Sequence, residues 1–86
     1  MSKKMEQVGS ITHYFTRIGV AVIELNTLLK IGDRVAVKGM TTDYEQTVDS
    51  MQIERVDVNE AKKGDSIGLK VKERVRPGDL VYRILE

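Results

Sequence analysis

The chain has 86 residues, of which 41% are hydrophobic, 31% charged and 5% aromatic, and its net charge is +1. This length fits one domain, since domains run to roughly 100–150 residues, and it excludes a second, nucleotide-binding domain. The chain has no cysteine and one histidine, so disulfides, structural zinc, iron–sulfur clusters and thiol chemistry are not expected, and we predict no metal and no cofactor.

The β-branched residues Val, Ile and Thr number 11, 7 and 6, an excess that favours strands over long helices. Six strands are predicted in chain order, at residues 8–15, 18–25, 34–38, 46–58, 66–72 and 80–85. The second is apolar almost throughout, which predicts burial on both faces. The fourth changes phase near Ser50, where we expect a bulge or bend. Only residues 59–63 are compatible with a helical turn.

A Gly-Asp pair precedes three of the predicted strands, in the segments 31–35, 63–67 and 77–81. Glycine accepts the positive φ that a tight turn often needs, and aspartate can hydrogen-bond backbone amides just downstream. We interpret the segments as three equivalent turns that each deliver a strand. A calcium site is not expected, because no glutamate follows at loop position twelve.

Six short strands in a small chain predict an all-β fold, either a tight sandwich or a barrel whose closure removes exposed edges. We predict a small closed six-stranded antiparallel β-barrel at residues 8–86, preceded by a flexible N-terminus at residues 1–7. The first residues turn polar where a signal peptide needs an apolar run, and no apolar stretch approaches the roughly 20 residues of a membrane helix. We therefore expect a soluble, cytoplasmic protein without a membrane partner. Few amide residues and many Lys and Glu favour a thermophilic source.

An ordered set of segments carries a resemblance to a known family. The segments lie at residues 9–11, 18–22, 28–39, 47–53, 58–69 and 75–81. Over about residues 8–83 the chain resembles domain II of translational GTPases, as in elongation factor Tu, and it is most similar to small free-standing elongation-factor-like barrels. A related barrel also occurs at the C-terminus of some U32-type peptidases. The resemblance implies a barrel of the translation-protein type.

In that family the GTPase domain hydrolyses GTP, whereas domain II contacts the ribosome or the aminoacyl end of tRNA. The chain has no Gly-x-x-x-x-Gly-Lys-Ser/Thr phosphate loop, so we expect no nucleotide partner, and only the contact role carries over. Arg55 aligns with a family arginine near the aminoacyl pocket, but Gln52 stands where elongation factor Tu has an acidic residue. The resemblance therefore does not extend to that pocket.

Charge is distributed unevenly along the chain. Residues 1–42 carry six basic and three acidic residues, residues 43–60 carry one and six, and residues 61–86 carry seven and four. This layout fits either a solvated surface of mixed charge or a polarised surface that orients the domain against a partner.

Alternating cations in the last segment are the main candidates for RNA contact. They are Lys70, Lys72, Arg74 and Arg76. If the backbone stays extended there, the four side chains point one way at about 6–7 Å spacing, close to that of successive phosphates. The alternative is an ordinary exposed strand face and turn, with Glu73 weakening the field.

Three further cations are open to two interpretations. Lys62 and Lys63 either extend the basic surface or solvate a loop. Arg55 lies among Glu54, Asp57 and Glu60, where a surface ion pair worth at most about 1 kcal/mol competes with a ligand contact.

The only aromatic cluster is His13-Tyr14-Phe15, followed by Arg17. These rings either stack on bases or place a buried Phe15 beside a partly exposed Tyr14. The single histidine has no nearby carboxylate or nucleophile in the sequence, so it is weak evidence for catalysis.

The longest polar connection between predicted strands is residues 41–45. Its hydroxyls at Thr41, Thr42 and Tyr44 suit recognition on a rigid barrel, and a plain hairpin loop is the alternative. No carboxylate pair and no Ser-His-Asp set can be assembled from the sequence, so we expect no catalytic residues and no enzymatic activity.

The sequence therefore predicts a non-catalytic, translation-factor-like binding module that contacts tRNA, ribosomal RNA or a ribosomal component. The alternative is a protein–protein interaction module that docks on a translation factor or an RNA-modifying enzyme without touching nucleic acid. A third option is a tRNA-modification accessory, as the U32-associated relatives suggest.

Overall fold

The structure, a computed structural model, describes residues 4–85. These residues form ten β-strands, and the part of the chain that is described contains no helix. In chain order the strands are β1 (Met5–Phe15), β2 (Val20–Leu25), β3 (Leu29–Lys30), β4 (Arg34–Lys38), β5 (Asp43–Thr47), β6 (Met51–Ile53), β7 (Val56–Val58), β8 (Glu60–Ala61), β9 (Ser66–Lys70) and β10 (Leu80–Ile84).

Eight strands form one antiparallel sheet in the order β5-β4-β10-β1-β2-β9-β6-β7, and β3 pairs with β8 in a small second sheet. The all-β, antiparallel prediction is confirmed. The closed six-stranded barrel is not found, because the backbone ladders of residues 4–85 leave β5 and β7 as open edges. The strand number differs because the predicted fourth strand divides into β5, β6 and β7, with a break at residues 48–50 where the bend near Ser50 was expected.

The sheet curls so that β5, the strand at one edge, lies near the end of β9. The buried Gln46 on β5 donates from Nε2 to the carbonyl oxygen of Lys70 at 3.0 Å and accepts from the N–H of Lys72 at 3.0 Å. One side-chain amide therefore makes the two bonds that a neighbouring strand would have made with its backbone.

Aliphatic side chains from the inner face fill the curl. The largest fully buried ones are Val8, Ile11, Ile23, Leu29, Val35, Val37, Val48, Met51, Ile67, Leu69, Val75 and Val81. Their β-branched majority suits a pleated, half-buried surface.

The three Gly-Asp segments form the same turn. Gly32, Gly64 and Gly78 have φ of 94°, 92° and 96°. The following aspartate donates its N–H to the carbonyl three residues earlier, at 3.0–3.1 Å. These are features of a type II turn, and each turn leads into a strand as predicted.

The aspartate side chains of these turns point back along the chain. In all three, the carboxylate accepts the N–H of the residue three positions earlier at 2.9 Å. The expectation of a bond to downstream amides was therefore wrong, because the turn folds the first residue's amide over the carboxylate.

A register shift in β1 reverses the predicted faces of the aromatic cluster. The pairing of β1 with β2 slips between Ile11 and His13. After this bulge the partly exposed Tyr14 packs against the core and Phe15 is 45% exposed, so the alternative with a buried Phe15 was wrong. One extra residue changes which alternate side chains face the core.

Three other local expectations are changed. Residues 59–63 contain the short strand β8 and the start of a Gly-Asp turn in place of a helical turn. The second predicted strand is not buried on both faces, since Ile18 is 61% exposed and precedes β2. Strand β1 starts at Met5, within the segment expected to be flexible, and residues 1–3 of that segment lie outside the described residues.

Candidate binding groove

A cavity of about 740 Å³ lies on the outer face of β2, β9 and β6. Its volume falls within the roughly 300–1,000 Å³ of ordinary ligand sites. The lining residues are Phe15, Ile18, Val20, Val22, Gln52, Glu54, Arg55, Ser66, Ile67 and Gly68. We call this feature the outer groove.

The floor of the outer groove is deepened by a glycine. Gly68 pairs with Val22 on one side and with Gln52 on the other, so these three positions share one face of the sheet. A side chain at Gly68 would point into the groove, and its Cβ would lie 3.4 Å from the Cγ1 of Val20. The missing side chain leaves a depression between the two neighbouring strands.

The turn between β1 and β2 forms an apolar wall. Gly19, at a φ of 67°, donates its N–H to the carbonyl oxygen of Phe15 at 2.9 Å and closes the turn. The turn holds Phe15 and Ile18 at the surface, 45% and 61% exposed. The ring of His13 lies against that of Phe15, with centroids 4.5 Å apart and a 58° tilt.

The opposite wall is the two-residue turn between β6 and β7. Glu54 and Arg55 have φ of 50° and 67°, the left-handed region that favours Gly and Asn. Holding two residues with side chains there costs of the order of 1 kcal/mol each. Gln52 donates from Nε2 to the Oδ1 of Asp57 at 2.9 Å, which braces the hairpin below the turn.

The charges at this turn have no partner within residues 4–85. Neither the Glu54 carboxylate nor the Arg55 guanidinium makes an ion pair or hydrogen bond with another described residue. Next to them Val56 is 63% exposed. The outer groove therefore combines aliphatic and aromatic surface with one acidic and one basic group at its edge.

All seven cations predicted to bind RNA or a partner are exposed: Arg55, Lys62, Lys63, Lys70, Lys72, Arg74 and Arg76. The extended row expected at residues 70–76 does not form, because β9 ends at Lys70 and the chain bends at residues 72–73. The cations lie at different depressions. Arg55 lines the outer groove, Lys70 and Lys72 another, Arg76 a third and Lys62 a fourth.

Two of the three predicted recognition hydroxyls are inside the fold. Thr41 is exposed, but Thr42 and Tyr44 are buried, and β5 already begins at Asp43. The Tyr44 hydroxyl donates to the Oε1 of Gln46 at 2.7 Å, and burial raises the pKa of Tyr44 to about 12. In this conformation Thr42 and Tyr44 are not available to a partner at the surface.

The described residues offer neither a metal-binding cluster nor a membrane-spanning helix. Within residues 4–85 no three His, Asp or Glu side chains lie close enough together to hold a metal ion. The same part of the chain has no helix with the length and apolarity needed to cross a membrane.

No protein-family model matches the chain. Curated proteins do match it. It is 43% identical over 81 residues to an uncharacterized protease of Methanocaldococcus jannaschii, covering 93% of this chain and 20% of that protein. It is 39% identical over 84 residues to a collagenase of Porphyromonas gingivalis, covering 95% of this chain and 23% of the collagenase. The chain thus spans about a fifth of the length of the curated relatives it matches.

The solved structures agree with these relatives. The C-terminal domain of a candidate U32 peptidase from Geobacillus thermoleovorans superposes with a TM-score of 0.85 at 20% identity, covering 91% of each chain. The chain has the fold of that domain. A selenomethionine variant of the same domain gives a TM-score of 0.84 at 19% identity.

These comparisons correct the family interpretation. The similar proteins are a protease, a collagenase and a U32 peptidase domain, so the assignment to elongation factor Tu domain II, and the translation and RNA-binding function inferred from it, were wrong. The sequence analysis also named U32-type peptidases, and the C-terminal domain of a candidate member shares this fold. The Gly-Asp turns were misleading because they only mark tight turns before strands. Small β-folds with different ligands share such turns.

The sequence interpretation also missed the outer groove, apart from Arg55. One signal was present. The uninterrupted apolar run at residues 18–23 is unusual for an antiparallel strand, which normally alternates apolar and polar residues when one face is solvated. Its outward members Val20 and Val22 form the groove floor.

Proposed function

We propose that this chain is a non-catalytic accessory domain of a U32-type peptidase, acting through protein contacts. The observation that carries the proposal is that the chain is clearly related in sequence to a short part of two much longer proteins. Nearly the whole chain matches about a fifth of a protease and of a collagenase at 43% and 39% identity. Four fifths of each relative therefore lie outside the matched part, which leaves room there for a separate catalytic domain.

The outer groove supports a contact role. Its exposed Phe15 and Ile18 offer apolar area that a partner polypeptide can cover, and aromatic and aliphatic anchors of this kind contribute most to protein interfaces. The charges of Glu54 and Arg55 at the edge add orientation more than affinity.

A chimera of the Porphyromonas gingivalis collagenase tests the proposal. The matching segment of the collagenase is deleted in one variant and replaced by this chain in a second. Cleavage of denatured collagen is measured beside cleavage of a short peptide, which reports whether the remaining protein is folded. We expect deletion to reduce cleavage of denatured collagen at least tenfold with short-peptide cleavage kept, and this chain to restore it.

A matched control is a chimera that carries this chain with Val22→Glu, which places a charge on the groove floor. It is expected to behave like the deletion. Cleavage of either substrate by the purified 86-residue chain alone would contradict a non-catalytic role, as would full activity on denatured collagen after deletion.

Two finer expectations from the sequence stay within this proposal. The first is a closed barrel, which the Gln46 contacts between β5 and the end of β9 support. The second is a cytoplasmic location.

A further inference from the structure

The turn between β6 and β7 carries an opposite-charge doublet that the fold itself does not use. Glu54 and Arg55 are adjacent, exposed and without a partner among residues 4–85. Both occupy left-handed backbone that Asn-Gly would occupy without strain. Strained residues with side chains are retained where those side chains have a role, so the position points to an external contact.

An adjacent acidic and basic residue is complementary to itself. When two copies meet about a two-fold axis that passes between the two positions, each Glu54 faces the other copy's Arg55, and two equivalent ion pairs form. Isologous contacts of this kind are the commonest symmetric arrangement of soluble proteins. A partner with a single charge would satisfy only one member of the doublet.

The apolar surroundings supply the area for such a contact. Phe15 and Ile18 on one wall of the outer groove are 45% and 61% exposed. A hairpin turn is convex and the groove, at about 740 Å³, is concave, so the shapes are complementary.

We propose that a second copy of this chain docks in the outer groove, with the β6–β7 turn of each copy lying in the groove of the other. In this dimer the β6–β7 turn of each copy covers Phe15 and Ile18 of the other, and Glu54 and Arg55 pair across the axis. The proposal goes beyond the accessory role, since it gives the domain the capacity to pair two peptidase chains, but it is tested on this chain alone.

Sedimentation velocity over 1 μM to 1 mM protein measures the dimer dissociation constant directly. The single reversals Glu54→Arg and Arg55→Glu place like charges across the axis, and each is expected to raise the constant at least tenfold. The double reversal Glu54→Arg/Arg55→Glu restores opposite charges, and its constant is expected within about threefold of the original. Recovery in the double variant is specific to a second copy, because any other partner would keep its own charges.

Apolar substitutions provide a matched pair. Ile18→Ser and Met40→Ser each remove one exposed apolar side chain, but Met40 lines a different depression. We expect Ile18→Ser to weaken the dimer at least tenfold and Met40→Ser to leave it unchanged. Circular dichroism confirms that each variant is folded.

Three results would overturn the proposal: a monomer up to 1 mM, a dimer unaffected by Ile18→Ser, or a double reversal that associates as weakly as the single ones. None of them bears on the accessory role, which the collagenase chimera tests separately.

Discussion

Replacing Gln46 with leucine tests whether one side chain fastens the two ends of the curled sheet. The change keeps the approximate volume but removes three hydrogen bonds. The Tyr44 hydroxyl loses its buried acceptor, and the carbonyl of Lys70 and the N–H of Lys72 lose partly buried partners. We expect the free energy of unfolding to fall because the Tyr44 hydroxyl loses its acceptor and the carbonyl of Lys70 loses its side-chain donor.

The magnitude follows from how deeply each bond is buried. The buried hydroxyl left unpaired costs about 1–3 kcal/mol. Each of the two partly buried backbone groups costs about 0.5–1.5 kcal/mol, because water can form part of the missing hydrogen bonding there. Added apolar area at leucine offsets about 1 kcal/mol. The net loss is about 3 kcal/mol, and since 1 kcal/mol shifts the Tm of a domain this size by about 4–8 °C, the shift is about 12–24 °C.

Urea unfolding followed by circular dichroism measures the loss, and Gln46→Glu is the matched control. Glutamate keeps the acceptor for Tyr44 and Lys72 but lacks the donor to Lys70 unless it is protonated. At low pH the protonated carboxyl can donate to Lys70, so the stability of Gln46→Glu is expected to be nearest to that of the original protein there and lower once the carboxyl ionises. A loss below 1 kcal/mol in Gln46→Leu would refute the role of the amide.

Three further predictions concern single sites. The free energy of unfolding should fall from pH 10 to about 12, because burial raises the pKa of Tyr44 and the unfolded chain therefore loses this proton first. In urea unfolding, Tyr44→Phe should lack this part of the fall. Equal pH dependence of the free energy of unfolding in the two proteins would contradict the prediction. Gly39→Ala should lower the Tm by 10 °C or more, since its Cβ would lie 1.9 Å from the Oδ1 of Asp79; an unchanged Tm would show that the turn moves freely. Glu54→Asn/Arg55→Gly should raise the free energy of unfolding, measured in urea, by about 1–2 kcal/mol, because both positions have left-handed backbone that Asn and Gly adopt more easily. A lower free energy of unfolding would refute backbone strain at this turn.

The parts of the fold that the sequence predicted depend on short-range rules. Residues 34–38, three apolar residues between Arg34 and Lys38, form β4 with the predicted bounds. The Gly-Asp turns depend on the φ that glycine alone accepts easily, so their positions were readable from the sequence. The bulge near Thr12 could not be predicted, because nothing in the local sequence pattern requires the register shift against β2 that turns Phe15 outward.

The candidate site was less predictable because it is assembled from distant segments. Phe15 and Val22 come from the first hairpin, Arg55 from a turn and Gly68 from β9. Only the strand order β2-β9-β6 makes them neighbours, and that order requires long-range pairing that single-sequence patterns do not specify. The basic side chains of residues 70–76 do not form the predicted single row, because the bend after β9 separates residues that are close in sequence.

The Gln46 contacts have a consequence for aggregation. An open sheet exposes edge strands, and unpaired edges recruit strands from other chains. The edge strand β5 has five residues and is held near residues 70–72 by the Gln46 side chain, and the other edge, β7, has three residues, Val56–Val58. Neither edge is a long template for cross-strand growth. We therefore expect that contacts between copies of this chain do not extend into a continuous intermolecular sheet.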